Sequence, residues 1–222
     1  AGIPADRIEA IPNGFDPGDF ADLPDQVEAR RLLNLSGADR IAVYTGHIRR
    51  DKGVHSLLDM AEEYPDMLML IVGGNPKETA ALQATVDDRR LRNVRLTGQV
   101  PISKVPLYLA AADVLVLPPS ALPLTHSTVL PIKTFTYMAA GRPILAPDLP
   151  DTAGVLEDGV NALKVAPDNA AAAVAGLRRL LDDPGLARRL ADAAKSDARK
   201  FTWAGRAAHL RDFITRRLEA IH

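Results

Sequence analysis

Residues 41–74 read IAVYTGHIRRDKGVHSLLDMAEEYPDMLMLIVGG, and this stretch decides the fold class. It contains two short apolar runs, Ile41–Thr45 and Met67–Val72. Near-continuous hydrophobicity of this length is typical of a strand that is covered on both faces. Between the runs, residues 53–63 have the pattern of an amphipathic helix. A strand, a helix and a second strand in this order predict a right-handed crossover and two parallel strands.

The same alternation of strand and helix continues to residue 165. Four further apolar runs are predicted as strands: Val94–Thr97, Val114–Leu117, Pro143–Ala146 and Ala162–Val165. Helical patterns lie between the runs, at residues 76–88, 103–112, 131–140 and 151–157. The sequence therefore predicts an α/β fold, in which helices flank a Rossmann-like parallel sheet of about six strands.

After residue 165 the sequence predicts helices without intervening strands. The helical stretches are Asn169–Leu181, Pro184–Lys200 and Thr202–Leu218. Asp168 or Asn169 can cap the first stretch and Thr202 the third, while Asp182 and Asp183 precede Pro184, a residue type favoured in the first turn, in the second. We expect residues 170–222 to form a helical tail packed on the sheet. No repeat or linker divides the sequence, so residues 1–222 are expected to form one domain.

Composition excludes several classes of protein. The formal net charge is −1, so no overall field attracts nucleic acid or anionic membranes. The chain has no cysteine, which excludes disulfides and thiolate metal sites. Its five histidines form no metal-binding motif, and we expect neither a metal nor a cofactor. No apolar run approaches the ~20 residues of a membrane span, which favours a cytoplasmic protein without a transmembrane segment.

Three loops that follow predicted strands carry the residues suited to a binding site. Ligands of open parallel sheets bind beyond the carboxyl ends of the strands, where helix N-termini attract anions. Residues 46–53, GHIRRDKG, combine glycine with Lys52 and two arginines, and a diphosphate fits that charge best. Residues 73–76 and 118–130 form the other two loops. For Arg49 and Arg50 a solvated surface role stays open, and for His47 the sequence alone favours a structural imidazole. His126, in the long loop, is a weak candidate for ligand contact.

Several phrases of the sequence, taken in order, resemble glycosyltransferase family 4. Residues 10–16, AIPNGFD, look like the phrase that opens the carboxyl-terminal domain of that family. Residues 44–54 resemble its phosphate loop, and residues 71–74 resemble its next glycine turn. The base-binding segment and the strand after it correspond to residues 96–100, 105–108 and 112–114. The signature helix corresponds to residues 131–143, and the closing phrases correspond to residues 157–161 and 201–203.

The resemblance implies a GT-B glycosyltransferase, built from two Rossmann-like domains. It implies that this chain is the half that binds the nucleotide-sugar donor, commonly a UDP- or GDP-sugar. The amino-terminal domain, which binds the acceptor, would lie outside this chain and act as its partner. Any peripheral contact with a membrane would be made by that domain. Transfer in the family retains the configuration of the sugar and needs no metal. Such enzymes serve polysaccharide or glycoconjugate biosynthesis, and we expect the isolated chain to be inactive.

The resemblance also assigns binding roles to residues of this sequence. Diphosphate binding is implied for Gly46, His47, Arg49, Lys52, Ile132 and Lys133. Base binding is implied for Gly73, Val100 and Pro101. Ribose or sugar binding is implied for Thr128 and Thr136, which take the places of two glutamates common in the family. His47 likewise replaces an arginine, and no residue of this half is assigned a catalytic role.

Two alternative functions are compatible with the same sequence. A nucleotide-sugar epimerase shares the GT-B architecture, but it needs acid and base residues in the cleft, and this half supplies few. A non-catalytic module that binds a nucleotide sugar or another protein is favoured by the two threonines at the usual acidic positions. The sequence does not determine the sugar, the base, the acceptor or the oligomeric state.

Overall fold

The computed structural model describes residues 7–35, 40–49, 52–118, 131–152 and 154–219. Six parallel strands form one sheet in the order β3-β2-β1-β4-β5-β6. The strands are β1 (Ile41–Thr45), β2 (Leu68–Val72), β3 (Val94–Leu96), β4 (Val114–Val116), β5 (Ile144–Pro147) and β6 (Leu163–Val165). The predicted fold class is confirmed, and each strand lies within a residue or two of its predicted range.

Helices pack on both faces of the sheet. The α-helices in the described ranges are α1 (Gln26–Leu32), α2 (Val54–Glu63), α3 (Pro76–Asp88), α4 (Val105–Ala110), α5 (Lys133–Ala140), α6 (Ala170–Asp182), α7 (Pro184–Ala198) and α8 (Trp203–Glu219). Short 3₁₀ helices cover Pro17–Phe20, Ile102–Lys104 and Pro150–Thr152. Helix α1 was not among the sequence predictions, since its short run is mostly polar and buries only Ala29.

The strand order changes direction next to β1. The chain proceeds outward from β1 to β3, then returns to place β4 on the other side of β1. Strand β1 pairs with β2 along its whole length, from Ile41–Leu68 to Thr45–Val72. With β4 it pairs only at Ala42 and Val43. The carboxyl end of β1 therefore continues beyond its pairing with β4, and this edge of the sheet, here called the crevice, is the usual ligand position in this topology.

The hydrophobic core has one layer on each face of the sheet. Side chains of β1 alternate between the layers, so Tyr44 joins the layer that contains α2 and α6, and Val43 joins the layer that contains α4 and α5. All five residues of β1 are buried. Burial on both faces explains why the strands appear in the sequence as continuous apolar runs.

The helical tail is confirmed, with a correction to how it packs. Asn169, Asp183 and Thr202 accept hydrogen bonds from the first turns of α6, α7 and α8, as their residue types indicated. Helices α6 and α7 each bury five residues. Helix α8 buries no residue, and Leu218 is 57% exposed. Contrary to the expectation, this helix therefore does not pack on the sheet.

The helix predicted for residues 151–157 is wrong. The 3₁₀ helix Pro150–Thr152 is followed by turns at residues 154–155 and 159–161. Gly154 and Gly159 adopt positive φ angles of 85° and 69°, which a right-handed helix excludes. The Asn161 side chain accepts from the Glu157 amide (2.8 Å) and donates to the Val155 carbonyl (3.0 Å). These side-chain bonds replace the backbone bonds of a helix.

Candidate functional site

A buried tyrosine of α5 contacts the end of β1 at the crevice. The Thr45 amide, which lies beyond the last β4 partner, donates to the Tyr137 hydroxyl at 2.8 Å. Tyr137 is fully buried, and this burial raises the pKa of its hydroxyl to about 12. The phenol therefore takes the place of a strand partner and ties α5 to the end of β1.

Helix α5 begins with a lysine that reaches across this crevice. Lys133 is half-buried, and its Nζ lies 4.0 Å from the centroid of the Tyr44 ring. A Cβ atom at Gly46 would lie 2.7 Å from the same Nζ, closer than real contacts allow. The Gly46 amide donates to the Val72 carbonyl at 2.8 Å and is occupied. Gly46 thus makes room for an ammonium group rather than supplying a free amide.

Two lysines concentrate positive charge in the crevice. Burial, and then the nearby charge of Lys52, lower the pKa of Lys133 to about 7. No carboxylate of the described residues counteracts this shift. Lys52 itself is exposed and directly precedes Gly53, the N-cap of α2. A site with two adjacent cationic groups and no acidic partner is suited to a multiply charged anion.

The two helices that open at this crevice lack side-chain caps. Neither Gly53 before α2 nor Ile132 before α5 provides a capping hydrogen bond. By contrast, α1, α3, α6, α7 and α8 are each capped by the residue before them. Helix α4 also lacks a cap, but it continues directly from a 3₁₀ helix. In the first turns of α2 and α5 the amides of Ser56, Thr134 and Phe135 already donate to backbone carbonyls, so an anion can meet only the remaining amides, which carry partial positive charge.

The loops after β2 and β3 lie beside the phosphate loop. A Cβ at Gly73 would lie 2.2 Å from the Gly46 carbonyl oxygen, so only glycine allows these loops to touch. The Gly73 amide donates to the Gly98 carbonyl at 2.9 Å. Next along the chain, Val100 is half-buried and Pro101 is exposed. The structure thus brings the predicted base-binding residues to the same edge as Gly46.

The other predicted site residues lie at the rim or outside the described ranges. His47 and Arg49 are exposed in the loop between β1 and α2, and Ile132 is 53% exposed. The Thr136 hydroxyl donates to the Lys133 carbonyl at 2.9 Å, within its own helix. Thr128 lies outside the described residues, as do Arg50 and His126.

Sequence reasoning gave no role at the site to Tyr44 and Tyr137. Tyr44 has its ring beneath Lys133, and its hydroxyl donates to the His47 carbonyl at 2.8 Å. Both tyrosines have apolar neighbours in sequence and look like ordinary core residues. The available signal was a phenol in a predicted core element next to a predicted binding loop, in β1 for Tyr44 and in α5 for Tyr137, since buried hydroxyls need a partner.

The described residues provide neither a cluster of metal ligands nor a membrane-spanning helix. Residues 7–35, 40–49, 52–118, 131–152 and 154–219 contain no group of three or more His, Cys, Asp or Glu side chains arranged to hold a metal ion. Over the same ranges, no helix has the length and hydrophobicity required to cross a bilayer.

The chain is similar to several known glycosyltransferases. Alpha-D-kanosaminyltransferase of Streptomyces kanamyceticus is 28% identical over 91% of this chain and 52% of that protein. Phosphatidyl-myo-inositol mannosyltransferase of Mycobacterium tuberculosis is 30% identical over 90% of this chain and 51% of that protein. The chain thus spans about half the length of these curated relatives.

Solved structures show the same fold. Sucrose-phosphate synthase of Thermosynechococcus elongatus superposes with a TM-score of 0.82 and 25% identity, over 96% of this chain and 53% of that one. HepE of Anabaena, solved with UDP, superposes with a TM-score of 0.81 and 19% identity, over 94% and 57% of the two chains. The family model "Glycosyl transferases group 1" matches residues 25–197, and the chain belongs to this family.

Proposed function

We propose that this chain is the donor-binding half of a retaining glycosyltransferase of family 4, and that the crevice beside β1 binds the diphosphate of a nucleotide sugar. The observation that carries the proposal is the pair Lys52 and Lys133, placed between the uncapped N-termini of α2 and α5. Ammonium groups and free amides are the groups that bind phosphate oxygens in proteins.

The remaining nucleotide would extend from this anion site toward the edge of the sheet. The base is proposed to lie against Val100 and Pro101, beside the contact between Gly73 and Gly98. The ribose is proposed to lie near Thr136, on the turn of α5 that follows Lys133. The solved relative HepE was crystallised with UDP, which supports a uridine nucleotide as the first ligand to test.

In the proposed reaction, the bond between the anomeric carbon and a diphosphate oxygen breaks. The nucleoside diphosphate leaves with the bonding electron pair, and an acceptor hydroxyl forms the new glycosidic bond and passes its proton to the departing diphosphate. Lys52, Lys133 and the first-turn amides would stabilise the charge that develops on the leaving diphosphate. We propose that these groups act without a metal ion, and that a second domain outside this chain holds the acceptor.

The test is calorimetric titration of the 222-residue chain with UDP, GDP and ADP. Lys52→Ala and Lys133→Met are each expected to weaken nucleotide binding about 10- to 150-fold, the range for losing a hydrogen bond to a charged group. Lys195→Ala is the matched control, because Lys195 is an exposed lysine of α7 that lies against Gly141, at the opposite end of α5 from Lys133. Equal losses in all three variants, or no binding by the native chain, would contradict the proposal.

A further inference from the structure

The position of Lys133 raises an energetic problem. Its side chain is half-buried and lies near a second cation, Lys52, and both effects favour the neutral amine. A lysine side chain is flexible and would ordinarily turn toward water. A local attractive contact must therefore hold the ammonium in the crevice when no anion is present.

Tyr44 provides that contact and is itself rigid. The ring lies 4.0 Å from Nζ, and the face of an aromatic ring carries the negative part of its quadrupole. Tyr44 is fully buried, and its backbone is paired with Ile71 in the sheet. Its hydroxyl donates to the His47 carbonyl at 2.8 Å, which fixes the ring relative to the phosphate loop. The ring is therefore a fixed platform at the base of the crevice.

We propose that Tyr44 is a positioning residue for donor binding: its ring holds the Lys133 ammonium over Gly46, so that Lys133 and Lys52 meet the same diphosphate. This inference rests on the proposed function. Gly46 completes the arrangement, because any larger residue would occupy the space of Nζ. The ring acts through Lys133 and not on the nucleotide, so its effect should depend on the charge of that lysine.

Two side chains act on the Lys133 ammonium: Tyr44 belongs to β1, and Lys52 precedes α2. His47 and Arg49 lie in the loop that joins these two elements. His47 directly follows Gly46 in that loop. A His47→Gln background removes this second ionisable side chain and leaves Lys133 as the group under study.

The experiment changes the ring electronically while keeping its size. Position 44 is replaced by phenylalanine and then by phenylalanine carrying one, two or three ring fluorines, which progressively weaken the attraction of the ring for a cation. In the His47→Gln background, the titration of Lys133 is followed by NMR of labelled lysine. The affinity for UDP-glucose, whose diphosphate does not titrate near neutral pH, is measured on the same proteins.

The titration midpoint of Lys133 is expected to fall with each added fluorine, and the UDP-glucose affinity to fall about tenfold over the series. The affinity for uridine, which lacks phosphate, should change less than about twofold. In a Lys133→Met background the fluorine dependence of UDP-glucose binding should disappear. The inference is overturned if the Lys133 titration midpoint does not change with fluorination, or if the affinities for uridine and UDP-glucose fall equally.

The two proposals fail in distinguishable ways. If the native chain binds UDP-glucose but fluorination has no effect, Tyr44 is an ordinary core residue and the proposed function stands. If the Lys133 midpoint follows fluorination but the native chain binds no nucleotide or nucleotide sugar, the proposed function is overturned, and with it the role of Tyr44 in donor binding.

Discussion

At the scale of single residues, two glycines of the crevice have different spatial roles. A Cβ at Gly46 would meet the flexible end of Lys133 at 2.7 Å, and a Cβ at Gly73 would meet the Gly46 backbone carbonyl at 2.2 Å. A lysine can move aside, whereas two sheet-anchored loops cannot. Both residues also have positive φ angles, of 138° and 122°, which strain any replacement.

We therefore predict that Gly73→Ala is the more destabilising of the two changes. Gly46→Ala should lower the free energy of unfolding by about 1–3 kcal/mol, mainly through backbone strain, and should weaken nucleotide binding by displacing Lys133. Gly73→Ala should cost more than about 3 kcal/mol, because a backbone clash is added to the strain. Urea unfolding measures both values. Equal costs would show that the two loops can separate without penalty.

Thr136 permits a test of the ribose assignment. Its hydroxyl proton is already donated to the Lys133 carbonyl, so the Thr136 oxygen can only accept a hydrogen bond from a ligand. Thr136→Glu is predicted to tighten binding of UDP by about 1–2 kcal/mol, because a carboxylate can accept from both ribose hydroxyls. The 2′,3′-dideoxy analogue should gain nothing, and Thr136→Gln should gain less. An equal gain for both nucleotides would show that the carboxylate acts without contacting ribose.

At the scale of the elements, the contact between α5 and β1 determines where the site forms. Tyr137→Phe removes the acceptor of the Thr45 amide and keeps the buried ring. Leaving one buried amide unpaired is predicted to cost about 1–3 kcal/mol of unfolding free energy. The Thr45 amide should also exchange with solvent faster than that of Val43, which remains in the sheet. Unchanged stability and exchange would mean that β1 does not depend on α5 at this point.

At the scale of the whole molecule, Lys133 couples charge to both stability and binding. Its pKa falls from 10.5 to about 7 in the folded chain. Between these values the unfolded chain holds more protons, so the contribution of Lys133 makes stability rise with pH. Anion binding needs the ammonium form, so affinity for UDP-glucose should fall as pH rises through about 7.

These two opposite pH dependences are predicted to share one origin. Lys133→Met should remove the alkaline loss of affinity and, in the same variant, the rise of stability above pH of about 7. Denaturant unfolding and calorimetry at matched pH values measure the two effects. If the affinity of Lys133→Met still falls through the same pH range, another group is responsible for the titration.

The fold class followed from local patterns in the sequence. A strand buried on both faces must be continuously apolar wherever it lies in the sheet, so Ile41–Thr45 could be identified without its neighbours. The caps Asn169, Asp183 and Thr202 act within three residues of themselves, and they too were identifiable. The position of Lys52 at the start of a helix was identifiable, because the charged residue and the helix start are adjacent in the chain. The turns after Thr152 were not, because their glycine angles and the Asn161 bonds oppose an otherwise helical pattern.

Only the tertiary structure decided how the site is assembled. Tyr44 and Lys133 are far apart in the chain and meet because the return of the chain to β4 places α5 at the end of β1. The same arrangement pairs Thr45 with Tyr137 and gives Gly46 its role as space for an ammonium. The pKa of Lys133 likewise depends on burial and on the charge of Lys52. Sequence determines what each residue can do, whereas contact, burial and charge depend on distances that exist only after the elements have packed.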